Sequence, residues 1–391
     1  MDIDRIDARA TDLADPLPGF PYCSGMSDDT AGDPPPDLDH LRALIDDLDH
    51  RLVDLLNERA RVVVDVGRAK HGDGTPIYAP DRESAVLGRV LAASAGPLPE
   101  RTLEGIWREL MSGSFRLERP LRIGYLGPEG SFSHLASLRH FGSSTEFAPM
   151  TAIRSVVEEV MHDRADYGLV PYENSIGGSI TETLDAIAEL DAPVCAESMV
   201  AIDQSLMANC PTEEIHAVAS KPEALSQCGK FLAANLPHAE IIETTSTSAA
   251  VVRAAAAPRT AAIGCRLGGE IHGVKVVFDR IQDRRENITR FLVIGRQAPG
   301  PTGNDRTTVQ FQTMNRPGAL VDVLASFRDA GVNLTHIDKR PSRMDNWQYT
   351  FFIDLEGHQA ESTVAAAIED ARAHCASLYV RGSYPRATRV L

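Results

Sequence analysis

From Leu41 onward, apolar residues recur at Leu44, Leu48, Leu52 and Leu55, then at Val62, Val66 and Ala69, with Arg59 on one seam position. The mean spacing of about 3.5 residues predicts one long amphipathic helix. HGDGTP (71–76) ends it, and two shorter helices are expected over about 81–95 and 99–117. A helix of this length runs roughly 50 Å, and two short helices leave much of its seam uncovered. A second copy of the chain is expected to cover it, giving an intertwined dimer.

The period changes after ERPLRI (118–123). Short β runs then alternate with helical ones: RIGYLG, SFSHLASLRHF, EFAPM, AIRSVVEEVM, YGLVPYEN, SITETLDAIAEL. A second set follows: IHAVAS, EALSQCGKFLAA, EIIETT, STSAAVVRAAA, TAAIGC. Two α/β groups in succession predict two lobes with a cleft between them. RRENITRFLVIG (284–295) reads as a charged turn feeding a further apolar strand. APGPTGNDR (298–306) reads as a linker, and the strand and helix signals beyond it come in the order βαββαβ, a ferredoxin-like arrangement. The expectation is a multidomain protein: an all-α domain at 37–119, a two-lobed α/β domain at 121–297 and an α+β ferredoxin-like domain at 307–391.

Composition narrows the classes. With 43% hydrophobic and 24% charged residues the chain reads as soluble and globular, and no apolar run approaches the ~20 residues of a membrane span. The first residues lack the basic start and apolar stretch of a secretory signal. Six scattered cysteines (23, 195, 210, 228, 265, 375) point to free thiols in a reducing cytoplasm rather than disulfides or a metal site. The N-I-T sequon at Asn287 is then silent. Of the net charge of −16, residues 1–37 hold −7, from nine Asp and two Arg. The rest makes no basic patch, which argues against nucleic acid. Residues 1–36, rich in Asp, Pro and Gly, are expected to be a disordered acidic tail, with Met26 a possible start.

Cations lie along the helical seam: Arg59 on it, Arg42 and Lys70 one residue beyond it, then Arg82 and Glu83 in PDRES. One such cation is ordinarily a snorkelling stem. Several together need anions that Glu83 alone does not supply, and a small dicarboxylate would. LRALIDDLDHRLVDLLNERARVVVDVGRAK, PIYAPDRES and IWRELMSGSFRLERP resemble the all-helical chorismate mutases. The resemblance implies rearrangement of chorismate to prephenate. Arg42 and Arg59 match the guanidiniums that hold two carboxylates, one reaching in from the partner copy. Lys70 matches the cation at the ether oxygen, Arg82 and Glu83 the contribution of the second helix, and Ser114 a contact of the third. Ala79 departs from an Asp found in some members. Glu118 aligns with a residue that is Gln in some, and only a protonated carboxyl donates to the ether oxygen.

In the α/β block, VPYENSIGGS, SKPEALSQC and ETTSTSAA set polar groups at strand ends and before helices. Singly these are caps; together in a cleft they suit a small carboxylate. With RIGYLGPEGSFSH and NITRF they resemble prephenate dehydratase over about 121–297. That implies conversion of prephenate to phenylpyruvate without a metal or organic cofactor. Thr289 matches the essential Thr, read as a positioned hydrogen-bond donor. Arg290 is read as a carboxylate anchor or as a group that strengthens its neighbour, and Phe291 as a core residue. Glu173, Asn174, Ser175, Ser220, Gln227, Ser246 and Thr247 are the other cleft candidates. Lys221 and Glu223 replace a His and a Gln common in the family.

NRPGALVDVLASFRDAGVNLTHIDKRP and WQYTFFIDLEGH resemble the ACT domain, which implies phenylalanine as an effector. Gly318, Ala319, Leu320 and Val321 open a helix suited to a ligand backbone. Asp338-Lys339-Arg340-Pro341 replaces the usual Glu-Ser-Arg-Pro, with Asp338 and Arg340 the candidate contacts. Two alternatives stay open: arogenate as the substrate, and a two-lobed small-anion binding protein without catalysis.

Overall fold

The structure, a computed structural model, describes residues 37–70, 77–341 and 349–391 and, of Lys70, the backbone alone. The expectations for the acidic tail, the start at Met26 and the HGDGTP turn lie outside the described residues. Two compact units divide between Glu58 and Arg59. Helix α1 (Leu38–Lys70) is continuous. Up to Glu58 its ion pairs are local, Arg42 to Asp39 at 3.2 Å and Arg51 to Asp47 at 4.0 Å. Leu44, Leu48, Leu52 and Leu55 are 50, 51, 55 and 61% exposed. The seam read from the spacing therefore faces solvent in the single chain.

In the second unit, α2 (Pro80–Ala93) opens on a proline whose fixed φ suits the first turn. Helix α3 (Glu100–Glu118) buries Met111, Ser112 and Phe115. Phe115 and Tyr167 both meet the Tyr78 ring edge-on, at 5.9 and 4.9 Å between centroids. These side chains share one core with Ile123, Phe141 and Phe291, so the last two helices of the helical block are welded to the first lobe. Ser112 reaches into the turn after Phe141 and accepts from the Ser144 amide at 3.0 Å. Gly142 has φ +74°, and a Cβ there would meet Ser112 at 2.5 Å, so only glycine fits.

The first lobe contains β1 (Arg122–Leu126), α4 (Phe132–Phe141), β2 (Glu146–Met150), α5 (Ile153–Met161) and β3 (Tyr167–Asn174). It continues with β4 (Gly178–Ser179), α6 (Thr181–Glu189) and β5 (Val194–Ala201). The second lobe runs β6 (Ser205–Met207), β7 (Ala217–Ser220), α7 (Pro222–Gln227), α8 (Gly229–Asn235) and β8 (Glu240–Glu243). Then come α9 (Thr247–Ala256), β9 (Thr260–Gly264), α10 (Arg266–His272) and β10 (Val276–Phe278). The chain returns to the first lobe as β11 (Ile288–Ile294), inserted between β3 and β5 and antiparallel to both. The sheet orders are β2-β1-β3-β11-β5, with β4 beside β3, and β10-β6-β9-β7-β8. Strands β4, β5, β6 and β10 and helix α10 lie outside the sequence expectation. The single helix expected over EALSQCGKFLAA is two, broken at Cys228. Asp283 explains the break: its carboxylate accepts from the Lys230 amide at 3.2 Å and its own amide donates to the Gln227 carbonyl at 2.7 Å.

The last domain is β12 (Asp305–Thr313), α11 (Ala319–Asp329), β13 (Leu334–Pro341), β14 (Tyr349–Glu356), α12 (Ser362–Ala373) and β15 (Cys375–Pro385). Its antiparallel sheet, β13-β14-β12-β15, has the expected βαββαβ connection. The strand begins at Asp305, two residues inside the stretch read as linker. Phe352 and Tyr384 join the core of the first lobe beside Leu184, Ile187 and Leu292. A Cβ on Gly382 would stand 1.9 Å from the Val194 carbonyl oxygen, so the two backbones meet directly.

Candidate active sites

Strand β11 presents successive side chains to opposite faces. Thr289 lies opposite Asn174 in the β3 pairing, and its Oγ1 accepts from Asn174 Nδ2 at 2.9 Å. The same Nδ2 donates to Asn287 Oδ1 at 2.7 Å, and Asn287 Nδ2 donates to Gln227 Oε1 at 3.3 Å. Thr289, Asn174, Asn287 and Gln227 thus form one chain of hydrogen bonds joining the lobes. Ser175 ties this turn to β11: its Oγ accepts from the Ile288 amide at 3.0 Å. Beside it lies a cavity of about 210 Å³ lined by Gln227, Asn287, Gln282, Asp283 and Arg284. Asn287 is absent from the residues picked by sequence; the signal was its place in NITRF, read there only as a silent sequon.

Arg290, one residue on, does not face the cleft. It is 6% exposed and donates from Nε to Glu197 at 2.6 Å and from Nη1 to Asp354 at 2.5 Å. Its Nη2 donates to the Tyr384 hydroxyl at 3.1 Å, and its guanidinium lies over the Tyr172 ring. Arg306 adds a second cation on Glu197 at 2.5 Å. Burial alone would push the Asp354 carboxyl up, but Arg290 and His336 hold it below the usual carboxylate range. The reading of Arg290 as a substrate-carboxylate anchor is therefore corrected: two carboxylates of the chain already occupy it. Glu173, a cleft candidate, stays partly exposed beside the same cluster. Its carboxylate faces His336 Nδ1 at 3.4 Å and Arg290 at 3.9 Å, and the His336 hydrogen bond holds its pKa low.

Other candidates resolve into structure. Ser220 is buried and donates to the Ile263 carbonyl at 2.6 Å. Ser246 caps α9 by accepting from the Ala249 amide at 3.0 Å. Thr247 packs against Gly264. Phe291 returns to the core, as expected.

In the helical block, Arg59 Nη1 donates to Ser114 Oγ at 2.8 Å, and that hydroxyl donates to the Leu110 carbonyl at 2.7 Å. Glu118, one turn further along α3, packs its methylenes against the bare Cα of Gly67, where a Cβ would sit 2.9 Å from Cγ. Lys70 follows Gly67 by three residues at the end of α1. Arg59, Ser114 and Glu118 thus come together along two facing helices. Arg42, in the other unit, pairs with Asp39. Arg82 is exposed. Glu83 lines a cavity of about 170 Å³ with Tyr78, Arg108 and His140. Burial pushes its carboxyl up to about 7, and burial lowers His140 to about 3. The Tyr78 hydroxyl hydrogen-bonds His140 Nε2 at 2.7 Å.

Gly318, Ala319, Leu320 and Val321 line a cavity of about 360 Å³ with Tyr349 and Phe351. Gly318 takes φ +80° to open α11. Arg340 is elsewhere, gripping Asp185 of α6 with two bonds at 2.7 and 2.8 Å, and the Asp338 carboxylate accepts from the next amide. In one chain these two do not meet the Gly318 cavity.

Family models described as chorismate mutase type II, prephenate dehydratase and ACT domain match residues 41–119, 123–299 and 307–373. A bifunctional chorismate mutase/prephenate dehydratase of Stutzerimonas stutzeri is 38% identical over 90% of this chain and 98% of its own. The chain belongs to this bifunctional family. A second member, from Pseudomonas aeruginosa, is also 38% identical, over 90% of this chain and 99% of its own. The crystal structure of an Arthrobacter aurescens prephenate dehydratase in complex with L-Phe aligns with TM-score 0.64 at 32% identity, covering 68% of this chain and 90% of that one. As a bifunctional chorismate mutase/prephenate dehydratase the protein is an enzyme of aromatic amino-acid biosynthesis, and the reading as a binding protein without catalysis falls. No helix among the described residues is long and apolar enough to cross a membrane.

Proposed function

We propose that the two reactions use two separate places on the chain, with Thr289 the donor for the dehydratase. In that step the prephenate dianion loses its ring carboxylate as CO2. The electron pair of the broken C–C bond completes the aromatic ring and expels the ring hydroxyl with its own pair. Phenylpyruvate, CO2 and hydroxide balance the dianion, and solvent protonates the hydroxide. Aromatisation supplies the drive, so the protein has only to ease departure of the hydroxyl. A hydroxyl aimed at it does so by hydrogen bonding. The observation that carries this reading is the hydrogen-bond chain from Thr289 through Asn174 to Asn287 and Gln227, the last two of which line a cavity between the lobes.

For the mutase, Arg59, Lys70, Ser114 and Glu118 form one half of a dicarboxylate site, with Arg42 of a second copy supplying the other guanidinium. Bidentate guanidiniums hold carboxylates, and the reaction calls for a cation at the ether oxygen, where charge grows in the transition state, the part assigned to Lys70. Exposed Arg82 contributes from α2 once the dimer forms, whereas Glu83 faces its own cavity with Tyr78 and His140. The exposed α1 seam supports the dimer, since burying it adds about 25 cal/mol for each Å². Phenylalanine is the proposed effector, bound over Gly318–Val321.

Supplied with chorismate, the purified chain is expected to release prephenate and then phenylpyruvate, with Thr289→Ala stopping at prephenate. Full dehydratase activity in that variant overturns the assignment. Arogenate supplied in parallel decides whether the side-chain amine is accepted.

A further inference from the structure

The hydrogen bonds that end on Thr289 have a direction. Asn174 Oδ1 accepts from two backbone amides, Ile176 at 3.0 Å and Gly177 at 2.8 Å. Only the carbonyl oxygen of an amide can take both, which fixes the flip of the Asn174 side chain. Its Nδ2 therefore points at β11 with two protons to give. One goes to Asn287 Oδ1 at 2.7 Å and the other to Thr289 Oγ1 at 2.9 Å, with the Ile288 carbonyl a longer neighbour at 3.4 Å. Asn287 is oriented in turn, because its oxygen is used and its Nδ2 faces Gln227 Oε1 at 3.3 Å. At 2% exposure it has little water to turn toward.

A threonine hydroxyl has one proton and two lone pairs. Asn174 fills one lone pair of Thr289, and among the described residues no acceptor takes the proton. We infer that Asn174 and Asn287 are positioning residues that set the polarity of the Thr289 hydroxyl, so that its proton is offered to the departing ring hydroxyl. Accepting from Asn174 also polarises the O–H bond and makes it a better donor. An acceptor in place of Nδ2 would draw the proton back and turn the hydroxyl away from substrate. This inference rests on Thr289 being the dehydratase donor.

The merely structural role of Asn174 is to hold the 174–177 turn through Oδ1. Asn174→Asp separates the two roles, since a carboxylate keeps that oxygen and replaces only the donor. With the full chain and prephenate, Asn174→Asp is expected to lower dehydratase kcat about 100-fold at pH 8, the scale of losing one aimed donor. Its kcat should climb as pH falls through the new carboxyl's pKa, because a protonated carboxyl donates again; wild type should lack that climb. Asn287→Leu, which leaves Asn174 only the longer Ile288 carbonyl as its second acceptor, is expected to cost about tenfold. Mutase turnover and the thermal melt report whether each variant is folded. Asn174→Asp within threefold of wild type at pH 8 overturns the inference, and so does a loss that stays flat with pH, which assigns Asn174 to the turn alone. Thr289→Ala distinguishes the levels. If it keeps dehydratase activity the whole reading of the site fails; if it is inactive while Asn174→Asp is not, only the polarity argument fails.

Discussion

The Thr289 site and the Arg59 site are built on opposite plans. Around Thr289, side chains from β3, β11, α7 and the segment entering β11 meet within one chain, each polar group answering another. Around Arg59 the chain supplies Ser114 and Glu118 on facing helices, while the apolar face of α1 stays open to solvent. On the proposed reading one chain holds a complete site and an incomplete one, and only the second should respond to assembly.

The sharpest way to break that comparison is to charge the open face. Leu48→Glu with Leu55→Glu forfeits about 3–6 kcal/mol of burial in a dimer, so mutase turnover should fall at least about 100-fold. Prephenate turnover should change less than about twofold. Equal loss of both, measured with each substrate supplied separately, would contradict the proposed division. A smaller effect is expected from Asp354→Asn, which leaves Arg290 half-paired in the core. The cost is about 3 kcal/mol, read by urea unfolding. The Asp354 carboxyl is held low in the fold, so its contribution is present above the ordinary carboxylate pKa of about 4 and lost as pH falls through the folded value. Acid unfolding of Asp354→Asn should therefore be less steep than that of wild type, and an unchanged slope counts against the pairing.

Glu118 sharpens the mutase side. Gln is a donor in every state, so Glu118→Gln should raise chorismate turnover severalfold. An unchanged rate counts against a donor at this position. The smallest effect belongs to the effector cavity. Gly318→Ala strains a backbone at φ +80° by about 1 kcal/mol, and calorimetry should show phenylalanine weakened about fivefold. No heat from the wild-type protein would leave this domain a structural one.

Much of this architecture was legible because apolar periodicity follows the geometry of each element. The 3.5-residue seam of α1 and the alternation from Arg122 onward located the helical block, the lobes and the βαββαβ domain. Strand β5 escaped because PVCAESMVA buries Glu197 and Ser198, where the pattern calls for apolar residues; the Arg290 and Arg306 guanidiniums pair Glu197, while Ser198 Oγ has no hydrogen-bond partner among the described residues. The break at Cys228 escaped because its cause, Asp283, lies more than fifty residues away. The site was half legible. Thr289 and Asn174 stood out as polar groups at strand ends, but the facing of Arg290 and Glu173 depends on β13, β14 and β15, which no local signal foretells. Asn287 was hidden by a pattern that belongs to another chemistry.

The most direct test of two separate sites on one chain is a pair of single variants given each substrate. Arg59→Ala should fail on chorismate yet convert prephenate to phenylpyruvate, and Thr289→Ala should do the reverse. Mixed and fed chorismate, the two proteins should restore phenylpyruvate through released prephenate. If either variant loses both reactions while its melt is unchanged, the two sites are not separate and the account is wrong.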